Sequence, residues 1–364
     1  MLTMIEELLN FAGPIFEVEG EAHGEMARDI LRLEIEETTA GLKRLSARFV
    51  AQGPPAGGGD QQLQYLDGSI VDFGKKVSVV LGAPPAAHNV FTGRISAIEA
   101  DFKEGGNPEV VIFAEDKLMQ LRMTRRLKTY ENVSDSDIAS AIAGEHGLTP
   151  EVDADGPTYD LVQQWNMSDL AFLRERARQI QAEVWADDQK LCFKSRGKRT
   201  ATELTLIQGN QLLNCRVRAD LAHQRTMIKL SGFDASERDR IEEEASEDAI
   251  QAEVSGGQTG PAVLQRAFGE HVSYRVREAP LKSTEAADWV KAEMLRRARA
   301  FVTIAGTTRG SADMVVGSKL TLERTGHPFE GSGYYVTSVC HTYDLEHGFR
   351  THFDAERATV QEGS

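Results

Sequence analysis

Cysteine is scarce. Cys192, Cys215 and Cys340 are scattered through 364 residues with no C-x-x-C pair, which excludes a disulfide framework or a zinc knuckle and fits folding in a reducing cytoplasm. Basic residues are also short, 41 Lys and Arg against 56 Asp and Glu, for a net charge of −15. Phosphate neutralisation needs clustered Lys and Arg, so neither specific nucleic-acid binding nor docking on an anionic membrane is expected. No stretch approaches the ~18 consecutive apolar residues of a membrane span, and no stable membrane insertion is expected. No Lys or Arg precedes Arg28, so the basic start of a secretory signal is missing and cytoplasmic synthesis without a signal peptide is expected. Motifs that carry chemistry are missing too. There is no G-x-S-x-G elbow, phosphate loop or dinucleotide fingerprint, and Gly57-Gly58-Gly59 is not followed by Lys-Ser/Thr, so no cofactor is expected.

What remains is an ordinary globular composition, 41% hydrophobic and 27% charged, long enough for two or three domains. Three regions separate by periodicity. Residues 1–128 read as short β-branched strands, interrupted by the loop 53–59. Residues 129–205 read as helical α/β. Ser134 starts one helix, with Gly147 as its stop; Ser168 starts a second, followed by a hairpin turning at Asp187-Asp188-Gln189. Residues 206–364 return to strands, with a helix over 284–301 capped by Ser283 or Thr284. Between Asp234 and Glu253 lie nine acids and two arginines, read as part of an acidic loop over 234–257 in solvated helical or mobile form. The expected class is α+β, mainly β, with two β-barrel domains flanking an α/β insert.

The two strand-rich regions resemble each other. Gly74-Lys75-Lys76-Val77-Ser78-Val79 matches Gly317-Ser318-Lys319-Leu320-Thr321-Leu322, and Ile95-Ser96-Ala97-Ile98 matches Val336-Thr337-Ser338-Val339. Each match is short, and coincidence among alternating strands is the other reading. Taken together, at offsets of 241 to 243 residues, they point to two copies of one β unit.

Candidate chemistry is thin. His341, His347 and His352 cluster in sequence, but if 343 faces 349 across a hairpin, His352 points away from His341. No metal site is expected. Glu145-His146-Gly147 lacks a second histidine four residues away, so His146 reads as a partner for the helix C-terminus. Asp187-Asp188 reads as turn chemistry. Trp165, Trp185 and Trp289 read as core. No catalytic, cofactor-binding or metal residues are assigned.

Four stretches resemble the phage late control D family, the baseplate hub proteins of contractile tails, whose fold also forms the N-terminal hub part of type VI secretion spike proteins. They are Phe91-Thr92-Gly93-Arg94-Ile95; Ala114-Glu115-Asp116-Lys117-Leu118 with Asn132-Val133-Ser134-Asp135-Ser136-Asp137-Ile138; Gln164-Trp165-Asn166-Met167-Ser168-Asp169-Leu170-Ala171-Phe172-Leu173-Arg174; and Gly331-Ser332-Gly333-Tyr334-Tyr335-Val336-Thr337-Ser338-Val339-Cys340-His341. The resemblance spans roughly 85–360. It implies two barrels like the tail-tube subunit and a non-enzymatic structural role in a phage tail or injection-system baseplate. It further implies a homotrimer that adapts a hexameric inner tube to a trimeric spike. Its partners are then a separate spike protein below, inner-tube or tube-initiator proteins above, and other baseplate components. Two other classes stay open on the residues alone: a tail-tip cell-wall hydrolase, and a small-ligand-binding barrel.

Overall fold

The computed structural model describes residues 13–53, 62–82, 87–235, 237–276 and 280–361. The expected loop 53–59 and the first residues of the chain thus lie largely outside the described residues. The described residues open with β1 (Ile15–Val18), β2 (Glu21–Ala22), α1 (Gly24–Asp29), β3 (Ile30–Thr38), β4 (Arg44–Val50), β5 (Gln52–Gly53), β6 (Gln62–Leu63), β7 (Lys76–Leu81), β8 (His88–Asp101) and β9 (Glu109–Glu115). A mixed region follows: α2 (Leu118–Met123), β10 (Arg125–Ser134), α3 (Asp135–Glu145), β11 (Thr149–Asp153), β12 (Thr158–Ser168), α4 (Asp169–Ile180), β13 (Ala182–Asp187) and β14 (Lys190–Ser195). Next come β15 (Glu203–Ile207), β16 (Leu212–Ala219), β17 (Met227–Asp234), β18 (Asp239–Ser246), α5 (Asp248–Gln251), β19 (Gln258–Thr259), α6 (Gly260–Phe268), β20 (Val272–Tyr274) and α7 (Ser283–Arg299). The chain finishes with β21 (Val302–Arg309), β22 (Lys319–Glu323), β23 (Gly331–Asp344), β24 (Gly348–Arg357) and β25 (Thr359–Val360).

Strand content of 49% against 20% helix makes this an α+β, mainly β protein, built from several sheets of which none is closed. Its spine is a 13-stranded sheet of order β16-β21-β24-β23-β3-β4-β9-β8-β7-β1-β2, with β22 on β23 and β15 on β22. Two antiparallel five-strand runs within it share one order, β7-β8-β9-β4-β3 and β22-β23-β24-β21-β16.

The likeness reaches single hydrogen bonds. Both runs carry a bulge between their second and third strands, at Ser96 and at Thr337. The Ser96 hydroxyl donates to the Phe113 carbonyl at 3.3 Å and the Thr337 hydroxyl to the Asp354 carbonyl at 3.2 Å. Both carry a second bulge between fourth and fifth strands, at Leu31 and at Leu213. Gly74 N–H donates to the Ile95 carbonyl at 2.8 Å, and Gly317 N–H to Val336 at 2.9 Å. Both glycines sit at positive φ, +79° and +93°, which admits a glycine turn into the strand. Shared bulges in shared positions are the mark of a duplicated unit, because a bulge sets strand bend and register.

The copies differ in what interrupts them. The β3–β4 connection is five residues, 39–43, while the equivalent β16–β21 connection is the whole segment 220–301. That segment folds as the β18-β17-β20 sheet with α7 across it, and packs on the mixed region 118–195. Trp289, Val290 and Met294 of α7 share one core with Ile142, Phe172, Leu173 and Phe193. The first unit has its own core around Phe16, Phe49 and Tyr65, and the second around Phe301, Tyr334 and Phe353.

The acidic stretch 234–257 departs from the expected loop, because it contains β18. Ile241 is buried while Glu242 and Glu244 face solvent, and Lys229 of β17 pairs with Glu244 at 3.1 Å. Charge density hid an alternation with one face against α7. The 284–301 helix is found as α7, but neither Ser283 nor Thr284 caps it; Glu285 accepts the Leu281 N–H at 2.9 Å instead. The two other helix starts are as read. Ser134 forms a capping box with Asp137, and the Ser168 hydroxyl accepts the Ala171 N–H.

Candidate functional site: strand edges and a buried ionic junction

The two units meet where a long strand outruns its neighbour. β23 has 14 residues, but β22 covers only its start, from Gly331 to Tyr335. β3 takes the vacated side, from Ser338 opposite Thr38 to Asp344 opposite Arg32. The first unit repeats this geometry without an occupant. β7 covers β8 from His88 to Arg94, and among the described residues no strand pairs with that side of residues 97–101. At the end of the sheet, β16 has β21 as its one ladder partner among the described residues, with a lone bridge from Leu212 to Gln208.

A buried ionic junction locks the units to the mixed region. Arg199 donates to Glu37 of β3 at 2.8 Å and to Glu183 of β13 at 3.1 Å, with its guanidinium 4.1 Å from the centre of the Trp185 ring. The Tyr335 hydroxyl of β23 donates to Glu183 at 2.8 Å. Burial pushes the Glu37 carboxyl up, but Lys43 and Arg199 outweigh it and hold the group below the usual carboxylate range. Burial also drives the Tyr335 hydroxyl upward. Nothing in the sequence reading singled out Arg199; the run Arg196-Gly197-Lys198-Arg199 in an acidic chain was the available signal.

The Ser168-Asp169 pair is explained structurally. Asp169 is fully buried and takes Arg126 at 3.0 Å, His146 Nε2 at 2.8 Å and Gln164 Nε2 at 2.8 Å. It ties α4 to the end of α3 and to β10, with His146 at the C-terminal end of α3. Gly93 of the first motif lies where a Cβ would come within 2.3 Å of the Glu115 carbonyl oxygen. Only glycine lets β8 and β9 approach there.

The three clustered histidines do not converge. Tyr343 pairs with Phe349 and His341 with Thr351, so His341 and His352 face opposite sides of the sheet. His341 is buried and bonds Thr351 at 3.0 Å, His347 bonds Asp344, and His352 bonds Thr307. Among the described residues, no three His, Cys, Asp or Glu side chains come together as a metal site. Asp187 and Asp188 flank the β13–β14 turn, with Asp188 at φ +49°. Trp289 is core as expected, but Trp165 is 66% exposed on the outer face of β12, beside Leu161 and opposite Leu127. A 40 Å³ cavity bounded by Glu37, Lys43, Asn89 and His341 has room for water and no more.

This architecture is that of tail proteins. The chain aligns with the 43 kDa tail protein of prophage MuSo2 from Shewanella oneidensis at TM-score 0.67 and 12% identity, covering 95% of this chain and 98% of that one. It aligns with a tail protein from Neisseria meningitidis MC58 at 0.62 and 11%, covering 95% and 96%. It also aligns at 0.57 and 10% with the E. coli c3393 protein, covering 96% and 79%. That protein is described as a type VI secretion component with structural similarity to the T4 tail proteins gp27 and gp5. By sequence, a family model described as the Alg8 N-terminal domain matches residues 58–344, and the chain belongs to that family. The family's name and the tail-protein fold describe different kinds of protein; the fold agreement runs through 95% of the chain. No curated protein sequence matches the chain. No described helix is long and apolar enough to cross a membrane.

Proposed function

We propose that the chain is a structural, non-enzymatic baseplate hub of the late control D type, in a contractile phage tail or related injection particle. It acts as a trimer that adapts a hexameric inner tube to a trimeric spike. The observation that carries this is the duplicated five-strand unit, matched down to two bulges and joined edge to edge in one sheet. Three chains then present six similar units around one axis, a match for a sixfold ring on one side and a threefold object on the other. Tube or tube-initiator proteins above, a separate spike below and other baseplate components are the partners. The first unit is assigned to residues 1–128, the insert to 129–205 and the second unit to 206–364. On this division the 220–301 excursion belongs to the second unit by sequence, while its β17, β18 and one face of α7 pack with the insert and its β19 and Phe301 pack with the second unit.

Native mass of the purified chain, alone and with the spike protein encoded beside it, tests the reading. A particle of about 120 kDa, three times the 40.1 kDa chain, that takes up a spike trimer is expected. A monomer under both conditions would remove the adaptor role.

A further inference from the structure

The junction inside one chain is a template for the junction between chains. This inference rests on the trimeric reading above and specifies its contact. β3 and β16 are equivalent through their pairings with β4 and β21 and their shared bulge, which superposes residues 32–38 on 214–220. β23 and β8 are equivalent through β24 and β9 and the other bulge, which superposes 338–344 on 97–103. In one chain β3 fills the open side of β23. Among the described residues, its equivalent β16 has no strand on its other side, and neither has the equivalent stretch of β8.

We propose that β16 of one copy pairs antiparallel with residues 97–103 of the next copy, in the register that β3 and β23 already use. The chemistry of that register is complementary. Glu99 falls opposite Arg218 and Asp101 opposite Arg216, two acids against two arginines on the same face of the sheet. Between them Ala100 meets Val217, and Phe102 meets Cys215. In the single chain Glu99 and Arg216 have no hydrogen bond or ion pair among the described residues, and Phe102 is 63% exposed. Phe102 lies one residue past the end of β8, and an exposed aromatic beside an unpaired strand edge is an aggregation hazard that pairing removes. A one-residue slip would set both acids against apolar side chains and turn each pair to opposite faces, so the charges select this register. The contact is heterologous, and three of them alternating with three internal junctions close a ring of six units.

The test uses the full chain and two readouts. Native mass is measured for the unaltered chain, Glu99→Arg, Arg218→Glu and the double reversal. Each single reversal places like charges opposite each other and is expected to weaken trimerisation at least about tenfold, with the double reversal restoring it. Phe102→Cys is oxidised so that it can bridge to Cys215 of the neighbour, a pair at antiparallel cross-strand distance. A covalent ladder ending at the trimer is expected, and adding Cys215→Ser should abolish it. A trimer that forms but neither responds to the reversals nor cross-links overturns this contact while leaving the hub reading intact. A monomer at every concentration overturns both.

Discussion

The two β units share five strands, an order and two bulges, yet they do opposite things with their edges. The second unit's long strand is covered by β3, whereas the first unit's equivalent stretch has no strand partner on that side among the described residues. The first unit turns from its fifth strand to its fourth in five residues; the second inserts 220–301 at the same place. Duplication therefore conserved what sets sheet geometry and let the connections diverge. The physical reason is that a bulge or a glycine turn acts on every strand beyond it, while a surface connection costs little to lengthen.

The largest expected effect comes from cutting the junction that holds the units in their different settings. Arg199→Met removes the cation that Glu37 and Glu183 share, leaving Glu37 to Lys43 and Glu183 to Arg196, and should lower stability by about 3 kcal/mol, the low end for breaking a buried pair. The Arg199 guanidinium lies over Trp185, so urea unfolding followed by tryptophan fluorescence reports both the loss and the altered ring environment. An unchanged midpoint would mean that the junction is not what joins units and insert.

A smaller effect separates the copies by pH. Burial foremost, with Lys43 adding and Glu37 opposing, lowers the His341 ring from 6.5 to about 3. The folded protein thus resists protonation that the unfolded chain accepts below 6.5, so this group's contribution is intact above that pH and is lost as pH falls toward 3. At about 1.4 kcal/mol per pH unit, the stability drop between pH 7 and 5 should shrink by roughly 2 kcal/mol in His341→Gln. The equivalent position in the first unit is Ala100, which does not titrate. Urea midpoints at both pH values check this, and equal drops in the two proteins would count against it.

The smallest effect sharpens the likeness. Ser96→Ala and Thr337→Val each delete one hydroxyl-to-carbonyl bond at an equivalent bulge, at about 0.5–1.5 kcal/mol apiece. Thermal unfolding should show similar losses. A clear inequality would mean that the bulges are alike in shape but not in what holds them.

Much of the local structure was readable before any coordinates. The Tyr343–Phe349 register, the helix starts at Ser134 and Ser168, the Asp187-Asp188 turn and the repeat all rest on side-chain period or a cap, which act over a few residues. β18 was missed because nine acids from 234 to 253 masked the alternation around Ile241. Trp165 was misplaced because a tryptophan beside a helix start gives no sign of which strand face it will occupy.

The candidate site was less legible. The motifs at Gly93 and Ser168-Asp169 stood out, and both prove to be packing devices. Arg199, Glu37 and Glu183 come from three distant parts of the chain, and no short-range pattern marks them as partners.

The sequence by itself determined the class and several of the turns and pointed to the duplicated unit, because these depend on residue type at fixed spacing. Only the tertiary structure decided that β3 crosses to β23, that much of the 220–301 excursion shares a core with 118–195, and that β16 and the end of β8 lack a strand partner among the described residues. Those outcomes depend on which long strand outruns its neighbour and which apolar faces meet, and they are settled by contacts between residues hundreds of positions apart.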